Sequence, residues 1–229
     1  MRHIPRRAFD GRHGNIGPRA LEDEVKMLRI RDALLVALMV FGVAACSPKA
    51  GGALTQDDMD MGNPQSKVTV VEYASVGCPV CAKWQKEVFP AFKAKYIDSN
   101  KVHYVFREML VGGGPEITVA SAGFLVARCA GKDKYFAVND AIFRDQEQAF
   151  EAPRETLLNI AKSVGMTDAS FEKCINDETA IKALNDRVDR HNRVDHINST
   201  PTFVINGKAM EPGYHSLEEM DAAIKAAGG

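Results

Sequence analysis

Two cysteines separated by two residues, Cys78 and Cys81 in the run Gly77-Cys78-Pro79-Val80-Cys81, follow directly on the β-branched segment VTVVEYAS at residues 68–75. That segment reads as a buried strand. The residues after the pair place Trp84, Val88, Phe89 and Phe92 at helical spacing, with a kink expected at Pro90. A strand running through C-P-x-C into a helix sets the first cysteine at the helix N-terminus, where free N–H groups and the helix dipole favour a thiolate. The second cysteine lies about one turn on, within disulfide reach, and Pro79 suits a first turn that needs no N–H donor. A thiolate stabilised in this way is a good leaving group, and a stabilised reduced form makes the disulfide more oxidising.

Other uses of paired cysteines fit less well. A zinc half-site needs a second ligand pair, and Cys129 and Cys174 have no close cysteine or histidine neighbour. Haem attachment needs a histidine after the second cysteine, where Ala82 stands. His191 and His196, five apart, are poorly placed to share a helical face, so no metal is expected. A C-x-x-C disulfide without redox function remains a competing reading. The formal net charge is −1, and from Ser47 onward 21 Lys and Arg face 25 Asp and Glu. That balance gives no electrostatic footprint for nucleic acid.

The remainder divides by its punctuation. A second strand is expected at Val102–Glu108, then a Gly112-Gly113-Gly114-Pro115 break. Helices are expected over residues 116–130, 133–144, 153–164, 169–175 and 178–190. Thr202–Ile205 returns to strand, Asn206-Gly207 turns, and residues 208–210 pair back. A closing helix is opened by Ser216 and Glu219, spaced as a capping box.

The first 46 residues read as an address. Residues 33–43 form an uncharged apolar run behind Arg29 and Arg31, with small residues following, which is the form of a secretory signal. The run is too short for the roughly 20 residues of a membrane span. Its end, Val43-Ala44-Ala45-Cys46, resembles the lipobox of bacterial lipoproteins, which implies lipidation of Cys46; ordinary cleavage nearby is the competing reading. Residues 1–26 carry no apolar periodicity and read as a non-native extension ahead of a signal peptide at 27–46 that starts at Met27. Residues 47–66, rich in Gly, Asp, Pro and Ser, read as a flexible tether, with order beginning at Lys67.

A second motif, Thr200-Pro201-Thr202-Phe203-Val204-Ile205-Asn206-Gly207-Lys208, lies about 120 residues beyond the cysteine pair. With C-P-x-C after an apolar strand and a helical block between, residues 67–227 resemble the DsbA-like branch of the thioredoxin superfamily. The resemblance implies an α/β thioredoxin fold with helices of about 116–192 inserted between the sheet halves. It implies that Pro201 is cis beside the active cysteines and that Thr200 offers backbone hydrogen bonds to substrate. It also assigns Glu72 as the buried acid that moves a proton at Cys81, although an outward-facing glutamate is possible at that position. Some family members carry a second disulfide in the helical block, which implies a bond between Cys129 and Cys174; two buried thiols are the alternative.

Where the family has His between the cysteines, this chain has Val80. Losing a side chain that helps to hold the thiolate implies a weaker oxidant. The resemblance implies an exported thiol:disulfide oxidase of the bacterial envelope without a cofactor. Its partners would be reduced exported proteins and a DsbB-like membrane quinone reductase. Thr200 leans towards an isomerase or reductase instead, but 20 tether residues leave no room for a dimerisation domain, so a monomer is expected. A non-catalytic peptide-binding module on the same fold is the third reading.

Overall fold

The computed structural model describes residues 51–229. The expected extension, signal peptide and Cys46 lie outside the described residues. The chain opens with β1 (Met59–Gly62) and β2 (Val68–Ala74), followed by α1 (Pro79–Glu87) and the single turn α2 (Phe89–Phe92). The turn continues into a π-helical stretch, Lys93–Ile97, before β3 (Val102–Glu108). Six helices come next: α3 (Pro115–Cys129), α4 (Tyr135–Arg144), α5 (Gln146–Glu151), α6 (Pro153–Ser163), α7 (Asp168–Ile175) and α8 (Glu178–Arg193). The chain ends with β4 (Thr202–Ile205), β5 (Lys208–Ala209) and α9 (Leu217–Ala226).

The strands form one sheet in the order β1-β3-β2-β4-β5. β2 and β3 are parallel at its centre, and the other neighbours are antiparallel. Parallel strands covered on both faces read as continuous apolar runs, as β2 does. Asn206 and Gly207 take positive φ, 49° and 83°, as a two-residue hairpin turn requires. Ser216 and Glu219 exchange the two hydrogen bonds of a capping box at the start of α9. The break between α1 and α2 falls at Val88, where Pro90 supplies no N–H to continue the ladder.

Trp84 anchors the core between helix and sheet. Its ring lies 4.6 Å from Phe203 and 5.8 Å from Phe92, and its indole N–H donates to the His215 carbonyl at 2.9 Å. The helical segment is fastened to the end of β3 by Glu108, which is 1% exposed. That carboxylate accepts from Arg128 of α3 at 2.6 Å, Arg187 of α8 at 2.8 Å and Tyr135 of α4 at 3.1 Å.

One expectation needs correction. The tether over residues 47–66 does not hold for its described part, because residues 59–62 pair antiparallel with β3 and Met59 is buried. The cause is Arg107 on β3, 3% exposed, whose guanidinium forks onto Asp58 with two bonds of 3.0 Å. The same group donates to the Gly51 and Ala53 carbonyls and, at 2.8 Å, to Asp195. Asp195 also accepts from Tyr73 at 2.7 Å and contacts His191 Nδ1 at 3.1 Å. A buried guanidinium must be paired, and the polar segment 51–58 supplies the partners. Polar composition here reflects a charge to be satisfied, not freedom from structure.

Candidate active site

Cys78 is the N-cap of α1, and its sulfur accepts from the Cys81 backbone N–H at 3.3 Å. Pro79 fills the first helical position. Both thiols are free; Cys78 is 7% exposed and lines a groove of about 260 Å³, whereas Cys81 is fully covered. The two thiols ionise very differently. The Cys81 side chain hydrogen-bonds to Cys78 and, with the Thr200 side chain and the backbone N–H groups of Cys81 and Val80, outweighs burial and draws the Cys78 pKa down to about 6. Burial, followed by the hydrogen bond to Cys78 and that neighbour's charge, pushes the Cys81 thiol well up.

Opposite the pair, the Thr200–Pro201 peptide bond is cis. As a thiol, Cys78 reaches the Thr200 carbonyl at 3.6 Å. The Thr200 hydroxyl is buried without a hydrogen-bond partner among the described residues, so it is available to the thiolate.

Glu72 stands on β2 with its side chain completely buried, not outward. Gln85 donates to both its oxygens, at 3.3 and 3.0 Å, and the Tyr104 hydroxyl makes a short bond to Oε2. Burial raises its pKa to about 7 against the pull of these two donors, and the Cys78 charge adds to the rise. Its own charge acts on Cys81 in turn. Sequence reasoning missed Gln85 and Tyr104. Gln85 lies one helical turn beyond Cys81, on the side of α1 that carries Trp84 inward, and this was the available signal. Cys129 and Cys174 lie far along the helical segment, joined as a disulfide with Cα atoms 6.2 Å apart.

A family model described as "Thioredoxin" matches residues 54–226. The chain belongs to the thioredoxin family. A Rickettsia bellii chain named "Putative protein-disulfide oxidoreductase" is 33% identical to this thioredoxin-family protein over 177 residues, 76% of this chain and 66% of that one. This chain spans 60% to 66% of the length of the Rickettsia relatives it matches. A Bacillus anthracis chain named "Probable disulfide bond formation protein D" is 27% identical over 170 residues, 72% of this chain and 77% of that one. Among solved structures, Wolbachia pipientis alpha-DsbA1 superposes with a TM-score of 0.66 at 25% identity, covering 76% of this chain and 92% of that one. These likenesses put the chain in the DsbA-like branch, an α/β thioredoxin fold with a helical insertion. No helix among the described residues is long and apolar enough to cross a membrane.

Proposed function

We propose that this protein is an exported thiol:disulfide oxidase that passes the Cys78–Cys81 disulfide to reduced proteins in the bacterial envelope. The observation that carries the reading is the placement of the pair: Cys78 caps α1 in an open groove with its sulfur accepting from the Cys81 N–H, while Cys81 is fully covered, which draws the Cys78 pKa down to about 6 and pushes the Cys81 thiol well up. A stable Cys78 thiolate favours the reduced protein and therefore makes its disulfide a donor.

In the forward reaction a client thiolate attacks the Cys78 sulfur, and the Cys78–Cys81 bond breaks. Cys81 departs with the electron pair and takes up a proton, which Glu72 supplies through the buried site. A second client thiol then attacks the client sulfur of the mixed disulfide and releases Cys78 as thiolate. The client dithiol has lost two electrons and the protein has gained them. A DsbB-like membrane quinone reductase is the proposed acceptor for their removal, and Thr200 and Pro201 hold the client backbone. We assign the Cys129–Cys174 disulfide a structural role, the protein a monomeric state, and Cys46 a lipid that anchors it to the membrane. The relatives' names for disulfide chemistry support the reading.

Intact-mass measurement after acid quenching and alkylation of cells reads both claims. Cys78 and Cys81 are expected to be largely unalkylated, on a mature chain that begins at an acylated Cys46. A pair found mostly alkylated would identify an isomerase or reductase, the reading that Thr200 favours, and an unmodified Cys46 would remove the anchor.

Glu72 predicts a pH dependence of stability. Its folded pKa of about 7 stands above the model-peptide value of 4.5, so the folded state binds the proton more tightly. The contribution is fully present below pH 4.5 and is lost as pH rises through about 7. The whole change is on the order of 3 kcal/mol. The Cys78 thiol, with its pKa lowered to about 6, gains stability over the same range, so the Glu72 contribution is read as the difference between the wild type and Glu72→Gln in urea unfolding of the reduced proteins from pH 4 to 8, and that difference is expected to decline as pH rises. Identical pH profiles for the two proteins would show that Glu72 does not hold the proton.

A further inference from the structure

The groove that exposes Cys78 has a second wall that the reaction above does not use. Cys78, Pro79, Asn198 and Thr200 line it together with Val111, from the loop before α3, and Glu116 of α3 itself. Glu116 is half-buried, at the second position of α3, and no cation pairs with its carboxylate among the described residues. It is the one carboxylate among the lining residues. Its place is fixed by close packing: a Cβ on Gly77 would lie 2.1 Å from the Glu116 carbonyl oxygen, and one on Gly112 would lie 3.0 Å from the Glu116 Cβ. Only a glycine at residue 77 lets α3 approach the cysteine loop so closely. Val80 and Ile117, 43% and 39% exposed, follow the lining residues Pro79 and Glu116 on α1 and α3.

We propose that Glu116 is a specificity-determining residue: it selects clients whose reactive cysteine is flanked by lysine or arginine and disfavours acidic thiols. A client must lay its backbone along this groove to bring a sulfur to Cys78, so its neighbouring side chains pass the unpaired carboxylate. An opposite charge there gains attraction in a partly desolvated cleft, and a like charge is repelled. Apolar side chains of the same client can rest on Val80 and Ile117. The inference refines the substrate class of the site under the redox reading.

The test is stoichiometric exchange between the oxidised protein and three peptides, each with one cysteine flanked by lysine, by glutamate or by serine. At low ionic strength the lysine peptide is expected to react on the order of tenfold faster than the glutamate peptide, with the ratio shrinking as salt is added. Glu116→Gln should bring the two rates within about twofold, and Glu116→Lys should reverse their order. The serine peptide should react at a similar rate with all three proteins, which shows that each is folded and that Cys78 keeps its reactivity. A lysine-to-glutamate ratio unchanged in Glu116→Gln would overturn the proposal. Stoichiometric exchange proceeds whichever direction the protein serves in the cell, so failure of the oxidase reading would appear in the cellular redox state and not in this ratio.

Discussion

Changing Cys81 to alanine is expected to leave the protein trapped in mixed disulfides with clients, while changing Cys78 to alanine abolishes both trapping and turnover. With a pKa of about 6, Cys78 is ~90% thiolate at pH 7, against a few per cent for an ordinary cysteine. It is the only one of the pair in contact with the groove, since Cys81 is fully covered and its thiol is pushed to the neutral form. Without Cys81 no internal disulfide can form; the Cys78 thiolate instead attacks disulfides already present in clients, and the mixed disulfide that results has no internal thiol to resolve it. Non-reducing gels of tagged Cys81→Ala should therefore show discrete, reductant-sensitive adducts, and Cys78→Ala should show none, with activity at the uncatalysed background. Adducts accumulating on Cys78→Ala and not on Cys81→Ala would reverse the roles.

The second large effect concerns stability. Arg107→Met should destabilise the protein by about 3–5 kcal/mol, because it leaves the Asp58 and Asp195 carboxylates buried without their cation. With a urea slope of about 2 kcal/mol/M, the midpoint should fall by about 2 M. Adding Asp58→Asn to Arg107→Met should recover part of the loss, as expected for residues in one network. A midpoint shift equivalent to less than about 1 kcal/mol would show that the network carries little of the fold.

The parts of this molecule legible in its sequence are those decided by neighbours along the chain. The cysteine pair at a helix start, the Asn206-Gly207 hairpin and the Ser216 capping box each follow from a few adjacent residues and their backbone needs. Other features depend on what meets in space. Residues 51–62 resemble a linker until Arg107, about 50 residues later, supplies a buried charge to pair. The short helix α5 falls between the helices expected at 133–144 and 153–164, and its six residues offer too little length for a periodic signal. Glu72 is assigned only through the family resemblance, and Gln85 and Tyr104, which hold its carboxylate, lie on two other elements. Glu116 gives no sign of its place in the groove until α3 packs on Gly77.

The pairing of β1 also settles how the molecule meets its neighbours. β3 is a seven-residue strand, and without cover its outer side would offer a ladder of free N–H and C=O groups to any passing chain. Four residues of β1 occupy that ladder, with Asp60 partly exposed on the new border and contacting His103 and Lys132. The opposite border is β5, only two residues long, exposed and bearing Lys208. Both margins of the sheet are thus short and charged, a shape that discourages strand-to-strand self-association. A domain boundary drawn at Lys67 on composition alone would remove one of these guards and open the outer side of β3 to pairing with other chains.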